Sequence, residues 1–492
     1  MRWSTLIKST TPIQSGGEGD PMILGVTRDS RCIRPGWVYV SVPGLKNHGD
    51  AFIEAAVAAG AAAVVSETPQ PSCTVPWIRV ANPRAAVGPL SRDVNGIDLA
   101  DKCLAAVTGT NGKTTVTHLF QNLFAHIYGT DRSWMFGTVA YVCGADIKQA
   151  PTTTPEAADI FLTMANASLP PRAVSMEVSS HALALDRVAG LKFDVAVFTN
   201  LTRDHLDFHA DMEDYFLTKK RLFTDYLKPD GKAVINLDDP RGRRLADELT
   251  TKNTVTFGKA SDATFRIIDS HASWDGVSIE VAYEGRLQHF ETGLAGTFNI
   301  QNVAAAAAGA LALGISSEDV GRSLAQMKTV PGRMERVETK GEFAVVVDYA
   351  HTPDALVNVL TAARPLTKGR LLCVFGCGGD RDARKRPLMA EAVARHCDEA
   401  IVTSDNPRSE KPQAIIDDIL PGIPLDFPHH VIVDRAVAIR KALSLAGAGD
   451  CVVIAGKGHE TYQDIGGVRH HFDDREVAMN LTAEILRGRT DD

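Results

Sequence analysis

The chain has 492 residues, of which 44% are hydrophobic and 23% charged, and its formal net charge is −8. This balance excludes a disordered or low-complexity chain, and the length exceeds what one hydrophobic core usually organises, so two to four domains are expected. An acidic chain also lacks the broad basic surface of a general nucleic-acid binder, so any anionic ligand must be bound by local positive groups.

Neither a targeting segment nor a cysteine-based zinc site or disulfide framework is predicted. The first 19 residues lack the basic and apolar parts of a secretory signal, and no apolar run reaches the roughly 20 residues that span a bilayer. The eight cysteines are scattered, without the spacing of a zinc site or of a disulfide-rich domain. We therefore expect a cytoplasmic protein without membrane insertion, in which the cysteines are buried and reduced.

Residues 1–102 are predicted to form a small N-terminal α/β domain. Short β-rich runs at 37–42, 62–66 and 77–80 alternate with an alanine-rich helical stretch at 51–59. Another helical stretch then precedes a long apolar strand, which places a domain boundary near residue 102.

Residues 103–335 are predicted to form a central domain. Apolar strands recur there with segments between them that are long enough for helices, which is typical of a parallel sheet covered on both faces. The strands are predicted at 103–108, 173–178, 195–200 and 233–236. Shorter alternating strands at 255–291 predict an antiparallel insert that closes this domain, followed by a buried alanine-rich helix at 296–313.

Residues 336–492 repeat the βα pattern. Apolar strands are predicted at 344–347, 371–375, 399–403 and 451–455. The predicted fold class is therefore α/β with three domains: a small N-terminal α/β domain, a central doubly wound P-loop ATPase domain and a C-terminal doubly wound α/β domain.

The strongest single motif lies between the strand at 103–108 and a run with helical spacing at 116–124. At such a junction, backbone N–H groups converge on phosphate oxygens, a lysine adds positive charge and a threonine hydroxyl can ligate Mg²⁺. The standard spacing has a glycine where this chain has Val107, so the motif is a variant. We expect it to bind nucleotide phosphates rather than to be a glycine turn without a ligand. Its residues are Gly109, Thr110, Asn111, Gly112, Lys113, Thr114 and Thr115.

Polar side chains follow two other strands of this sheet. Glu177 lies at the carboxyl end of the strand at 173–178, and open α/β sheets bind ligands at that edge. The strand at 195–200 runs into a dense polar segment at 200–209, where His205 stands beside two aspartates. A lone histidine is more often structural, but this setting favours metal or phosphate chemistry with Mg²⁺.

Six motifs occur in order along nearly the whole chain, at 109–115, 177–180, 200–207, 299–302, 331–333 and 348–353. Together they resemble the Mur ligase family, which joins amino acids to the peptide stem of the peptidoglycan precursor and has folylpolyglutamate synthetase as a relative. The resemblance implies an ATP-dependent acid–amino-acid ligase that forms ADP.

The same resemblance implies roles for individual residues. Lys113, Glu177, His205 and Lys219 would be catalytic, with Thr114 and Glu177 holding one Mg²⁺ and His205 a second. It adds further ATP contacts at Asn299, Arg333, Asp348 and His351, the last two from the C-terminal domain.

Lys219 matches the family lysine that carries a carbamate derived from CO₂, as N6-carboxylysine. Its spacing alone would predict a solvated cation on a helix, and the neighbouring Lys220 makes the match ambiguous. A carbamate would replace the ammonium by a carboxylate-like anion, which could help to hold the second Mg²⁺.

Three motifs of the C-terminal domain follow predicted strands, at 378–382, 405–408 and 456–460. They resemble family members that add meso-diaminopimelate rather than L-lysine. A guanidinium pairs well with the extra carboxylate of diaminopimelate, and Glu460 could receive an ammonium group. The alternative is that 405–408 is a simple proline turn. The implied contacts are Arg381, Asp405, Asn406, Pro407, Arg408, Gly456 and Glu460.

The implied acceptor is UDP-N-acetylmuramoyl-L-alanyl-D-glutamate. Segments 27–31 and 44–48 resemble those that hold the UDP, through residues such as Arg28 and Ser30. The residues that match contacts to the muramoyl dipeptide are Thr152, Thr153, Thr154, Ser179 and Arg187.

The implied reaction has an acyl phosphate intermediate and uses small-molecule substrates, without nucleic acid, in a monomeric enzyme. Within the enzyme class the alternatives are an L-lysine-adding ligase and a folylpolyglutamate synthetase-like ligase. Outside it, the alternative is a regulatory protein that hydrolyses ATP to switch conformation.

Overall fold

The structure is a computed structural model that describes residues 1–44, 48–249, 253–339 and 341–490. The chain divides into two compact units. The first contains Met1–Arg266 and Ala304–Val320, and the second contains Ile267–Val303 and Gly321–Asp492.

A five-stranded sheet begins the first unit, in agreement with the small α/β domain predicted there. Its order is β1-β5-β4-β3-β2, and only β1 is antiparallel to its neighbour. The strands are β1 Gln14–Gly16, β2 Gly25–Thr27, β3 Trp37–Val40, β4 Ala61–Ser66 and β5 Trp77–Arg79. The helices that accompany them are α1 Trp3–Leu6, α2 Ile53–Ala58 and α3 Pro83–Val94. Apolar side chains form a core on each face of this sheet.

A larger sheet follows, and its strands in the first unit, up to the start of β14, have the order β14-β13-β12-β11-β6-β10-β7-β8-β9. Its strands are β6 Cys103–Thr108, β7 Ser133–Phe136, β8 Ala140–Cys143, β9 Asp146–Gln149, β10 Ala173–Glu177, β11 Phe193–Phe198, β12 Leu227–Asn236, β13 Thr254–Gly258 and β14 Phe265–Ser273. The helices are α4 Lys113–Tyr128, α5 Ala157–Asn166, α6 Ser180–Ala184, α7 Met212–Thr224 and α8 Pro240–Glu248. The strands β10, β6, β11 and β12 pair in parallel, and their apolar runs are buried as expected for a sheet covered on both faces.

The strand order of this sheet creates the candidate site. Because β6 lies between β10 and β11, the loop after β6 emerges between the polar segments that follow its two neighbours. The register pairs Val107 with Glu177 and Thr108 with Phe198, so the three strands end at nearly the same level.

The predicted antiparallel insert at 255–291 is partly wrong. β13 pairs in parallel with β12, and β14 begins in parallel with β13. The physical reason is that α8 lies between β12 and β13 and supplies the long crossover that parallel pairing needs. The antiparallel part is the hairpin of β15 Gly276–Tyr283 and β16 Arg286–Thr292. The predicted alanine-rich helix is present as α9 Asn299–Ala312 and is followed by α10 Ser317–Gln326.

The second unit contains the predicted C-terminal doubly wound sheet, in the order β17-β18-β22-β19-β20-β21, and a separate hairpin. The strands are β17 Glu335–Arg336, β18 Ala344–Asp348, β19 Leu371–Phe375, β20 Glu399–Val402, β21 His429–Val431, β22 Cys451–Ala455, β23 Tyr462–Ile465 and β24 Val468–His471. The helices are α11 Pro353–Ala363, α12 Lys385–His396, α13 Pro412–Ile419, α14 Arg435–Leu445 and α15 Asp474–Thr490. Two apolar cores cover the two faces.

The cysteines differ in part from the expectation of burial. All eight are free thiols, but only Cys373, Cys377 and Cys451 are buried. Cys32 is exposed because it lies in a short 3-10 turn at the surface, and the other four are partly exposed. Within the described residues, no helix is both long enough and apolar enough to cross a membrane.

A buried ion pair joins α14 to α15 and gives a first testable prediction. Arg435 and Asp474 are both fully buried and make two hydrogen bonds of 2.7 Å. Replacing Asp474 by alanine leaves a buried guanidinium without its counter-charge, so Asp474→Ala should lower the free energy of unfolding by about 3–5 kcal/mol. Chemical denaturation measures this loss.

The same two helices supply a matched control. Arg440 and Glu484 form an ion pair of the same 2.7 Å length, but each side chain is about half exposed. Glu484→Ala should cost less than about 1 kcal/mol. Equal losses for the two variants would show that burial does not set the strength of these pairs.

Candidate active site

The loop after β6, which was predicted to bind phosphate, is held in place by the segment that follows β11. Gly109 has a φ of +149°, and a β-carbon at this position would lie 1.9 Å from Thr199 Oγ1, so glycine is required. The Thr110 N–H donates to the Asn200 carbonyl, and the Asn111 N–H donates to Asn200 Oδ1, both at 2.9 Å. The helix α4 then starts at Lys113 with its N-terminus at the end of this loop.

Two lysines meet at the same loop. Lys113 Nζ donates to the carbonyls of Gly109 (3.0 Å) and Thr110 (2.8 Å), and Lys219 Nζ donates to the Gly109 carbonyl at 2.8 Å. Lys219 comes from α7, is 1% exposed and lies 4.7 Å from the centre of the Tyr215 ring. Burial, and then the charge of Lys113, hold the pKa of Lys219 well below its usual range.

The neighbouring lysine of α7 is placed differently. Lys220 Nζ forms an ion pair of 2.8 Å with Glu248. The structure therefore favours Lys219 over Lys220 as the residue that acts at the phosphate loop.

Glu177 is buried at the end of β10, where it was predicted. Its Oε1 accepts from the Thr138 N–H at 2.7 Å and its Oε2 accepts from Thr138 Oγ1 at 3.1 Å. A β-carbon at Gly137 would lie 2.6 Å from Glu177 Oε1, so this turn must come close to the carboxylate. Thr138 was not predicted from the sequence, because its segment carries no recognisable motif.

His205 lies in a group of aromatic rings after β11. Its φ is +54°, its Nε2 is 3.4 Å from Asp204, and its ring centre is 4.9 Å from that of His181. The His181 ring packs at 4.0 Å from Phe208. Burial, together with the charges of His205 and His209, lowers the pKa of His181 to about 4, so this imidazole is neutral at physiological pH.

The donor set fits Mg²⁺ but not a metal held by the protein alone. Among the described residues, no three histidine, cysteine or acidic side chains converge in a metal-binding group. Mg²⁺ usually binds through one or two carboxylates together with water and substrate phosphates. Glu177 and the buried Thr114, the second residue of α4, provide oxygen donors of that kind.

The predicted dipeptide residues lie beside Glu177. Thr154 Oγ1 donates to the Glu177 carbonyl at 2.8 Å and accepts from the Ser179 N–H at 3.1 Å. Thr138 Oγ1 lies 3.1 Å from Thr153 Oγ1, within hydrogen-bond distance. The other two predicted dipeptide residues bond to Thr154, because Thr152 Oγ1 and the Arg187 guanidinium both donate to its carbonyl.

Three guanidinium groups surround one carboxylate nearby. Glu156 Oε1 lies 3.1 Å from Arg28, 3.3 Å from Arg84 and 3.5 Å from Arg187. The group has a net charge of +2 and is suited to an anion. Arg84 comes from α3 and was missed, because its sequence neighbours gave no indication of it. Ser30 begins a 3-10 turn, and Leu45, Lys46 and Asn47 lie outside the described residues.

In the second unit, the predicted nucleotide residues hold two turns in place. The buried Asp348 accepts from the N–H groups of Met334 (2.7 Å) and Ala350 (2.8 Å), and burial raises its pKa. The Arg333 guanidinium lies 5.3 Å from the Tyr349 ring centre. The Asn299 and His351 side chains bond within their own segments, to the carbonyls of Ala295 and Tyr349 respectively.

The loops after β19 and β20 meet through Arg408. Its φ is +50°, and its Nη1 donates to the Gly379 carbonyl at 2.7 Å. A β-carbon at Gly378 would lie 2.8 Å from the same nitrogen, so the glycine pair makes room for this guanidinium. Arg381 lies on the first of these loops and is exposed.

The loop after β22 contacts the loop after β20. Asn406 Nδ2 donates to Glu460 Oε2 at 2.8 Å, and a β-carbon at Gly456 would lie 3.1 Å from Asp405 Oδ2. Burial, and then the charge of Asp405, raise the pKa of Glu460. Pro407 is buried between Asn406 and Arg408. All seven predicted amino-acid contacts therefore lie on three loops at the carboxyl ends of β19, β20 and β22.

Comparison with known families finds three consecutive matches. Residues 22–94 match the model of the Mur ligase family, catalytic domain, residues 107–310 match the Mur ligase middle domain, and residues 332–458 match the Mur ligase, glutamate ligase domain.

Similar proteins extend over nearly the full chain. The UDP-N-acetylmuramoyl-L-alanyl-D-glutamate–2,6-diaminopimelate ligase of Gloeobacter violaceus is 45% identical over 94% of both chains. The protein of the same name from Thermosynechococcus vestitus is 46% identical over 92% of both chains. A solved structure of a ligase of this name has a TM-score of 0.70, is 34% identical and covers 95% of both chains.

Proposed function

The chain belongs to the Mur ligase family, and on that premise we propose that it adds meso-2,6-diaminopimelate to the D-glutamate of UDP-N-acetylmuramoyl-L-alanyl-D-glutamate, with ATP converted to ADP. The single observation that carries this proposal is the 45% identity over 94% of both chains with a protein of that name. The enzyme acts in the synthesis of peptidoglycan precursors, as a monomer in the cytoplasm.

Phosphoryl transfer comes first. The γ-carboxylate of the D-glutamate attacks the γ-phosphorus of ATP, so that an acyl phosphate forms and ADP leaves. Backbone N–H groups at the start of α4 bind the phosphates, and Lys113 stabilises the charge that develops on the transferred group. Thr114 and Glu177 would hold one Mg²⁺ and His205 a second, and these ions would neutralise phosphate charge.

The dipeptide end of the acceptor binds beside Glu177. Thr153, Thr154 and Ser179 present hydroxyl groups at the edge of the sheet, and Arg187 contributes positive charge. Residues 1–102, including Arg28, bind the UDP part of the acceptor. This arrangement brings the carboxylate that reacts to the phosphate loop of residues 103–335.

Lys219 carries a carbamate in the active enzyme. Only a neutral amine attacks CO₂, and burial favours the neutral form of Lys219. The product is an anion beside the phosphate loop, with loss of one proton. This anion would be a ligand of the second Mg²⁺ rather than a further positive charge.

Residues 336–492 bind the amino acid. The Arg408 and Arg381 guanidiniums pair with the distal carboxylate of diaminopimelate, while Asp405, Glu460 and the Gly456 carbonyl receive its ammonium group. The reacting amine then attacks the acyl carbon, so that an amide bond forms and phosphate and a proton leave.

The test of this function is the dependence of ADP release on both co-substrates. Purified protein with ATP and Mg²⁺ should release ADP rapidly only when the UDP-muramoyl dipeptide and diaminopimelate are both present. Mass spectrometry should show a product heavier by one diaminopimelate residue. Rapid ADP release without either co-substrate would instead indicate the nucleotide-hydrolysing regulatory protein.

A further inference from the structure

Lys457 is a fully buried cation among the predicted amino-acid contacts. Its side chain is 0% exposed, and its Nζ lies 3.0 Å from Asn406 Oδ1, 3.4 Å from Asp405 Oδ1 and 3.7 Å from Glu460 Oε2. The Tyr462 ring centre is 5.7 Å away. Burying an ammonium group is costly unless it is paired, and here two carboxylates and an amide oxygen compensate it.

Two glycines with positive φ flank Lys457 and set the backbone conformation that buries its side chain. Gly456 and Gly458 have φ values of +119° and +53°, which residues with a side chain rarely adopt. A β-carbon at Gly458 would also lie 2.7 Å from Tyr349 Cβ. The two glycines of the motif at 456–460 therefore serve the placement of the lysine between them.

Lys457 and the Asp464 N–H together determine which way the Asn406 amide faces. Asn406 Oδ1 accepts from Lys457 Nζ at 3.0 Å and from the Asp464 N–H at 2.9 Å, while Nδ2 donates to Glu460 Oε2 at 2.8 Å. The reverse orientation would point the amide NH₂ at the ammonium and the oxygen at the carboxylate. The cation, together with the Asp464 N–H, thus orients Asn406, and Asn406 in turn holds Glu460.

Lys457 also sets the charge of the group. Asp405 and Glu460 together carry two negative charges, and Lys457 reduces the sum to −1. A net charge of −1 matches one substrate ammonium. Without Lys457, the guanidiniums of Arg435 and Arg408 would be left to relieve the mutual repulsion of the two carboxylates.

We propose that Lys457 is a positioning residue for the amino-acid substrate, which orients Glu460 through Asn406 and leaves one negative charge for the substrate ammonium. This inference rests on the proposed function, because it assumes that these loops bind an amino acid. Lys457 acts through its neighbours, since its ammonium group has no exposed surface.

Steady-state kinetics of Lys457→Met and Lys457→Gln test the proposal. Both should raise the KM for diaminopimelate by at least about tenfold and leave the KM for ATP and for the UDP-muramoyl dipeptide within about twofold. The glutamine variant can still bond to Asn406 and provides the measurement if the methionine variant does not fold. Lys441→Met, at a partly exposed position on α14, is the matched control and should change none of these constants.

A double-mutant cycle separates positioning from general loss of structure. If Lys457 acts through Glu460, the effects of Lys457→Gln and Glu460→Gln on kcat/KM for diaminopimelate should be strongly non-additive. An unchanged KM for diaminopimelate, or equal changes in every kinetic constant, would overturn the proposal. Wild-type protein that is inactive with diaminopimelate would instead refute the proposed function itself.

Discussion

Lys113→Ala should lower the rate of ADP formation by about 10²–10³-fold or more, because it removes a positive charge beside the transferred phosphoryl group. Lys113 Nζ lies over the carbonyls of Gly109 and Thr110, so its charge is already placed at the phosphate loop before the reaction. Trapping of the acyl phosphate with borohydride, followed by mass spectrometry, measures the first step directly. The trapped product should be absent in the variant.

Lys148→Ala is the control for this experiment, because Lys148 is exposed on the outer strand β9. The control should retain full activity, and both variants should melt near the wild-type temperature. Normal acyl phosphate formation by Lys113→Ala would contradict the assignment of the phosphate loop.

Lys219→Ala should also lower activity by about 10²-fold or more, because the carbamate anion is lost from the site. A small carboxylate such as formate or acetate could enter the space left by the side chain, and it should restore part of the activity. Wild-type protein equilibrated with ¹³CO₂ should show a carbamate ¹³C resonance that Lys219→Ala lacks.

Lys220→Ala is the matched control on the same helix, since Lys220 pairs with Glu248 instead of the phosphate loop. It should keep its activity and the carbamate resonance. A resonance that disappears in Lys220→Ala but persists in Lys219→Ala would transfer the modification to the neighbouring lysine.

The elements of the site that are local in sequence were predictable. A strand, a glycine turn and a helix follow one another within 103–128, so the phosphate loop was evident from spacing alone. Glu177 was placed because an apolar strand ends at it. In both cases the polar residues of the motif lie within a few positions of the strand or helix that places them.

Contacts between distant segments were not predictable in the same way. The choice between Lys219 and Lys220 depends on which face of α7 is turned to a loop about 110 residues earlier in the chain. Arg84 and Thr138 join the site only through tertiary packing. The pairing of β13 was misjudged because alternating apolar residues suit parallel and antiparallel strands alike.

The choice of meso-diaminopimelate over L-lysine is tested directly by one comparison of the two amino acids. Purified protein is incubated with ATP, Mg²⁺ and UDP-N-acetylmuramoyl-L-alanyl-D-glutamate, and phosphate release is measured with meso-diaminopimelate or with L-lysine. We predict release with diaminopimelate and little with L-lysine, because lysine lacks the carboxylate that Arg408 would bind. Faster phosphate release with L-lysine than with diaminopimelate would contradict the assigned specificity. Phosphate release with neither amino acid would contradict the proposed reaction.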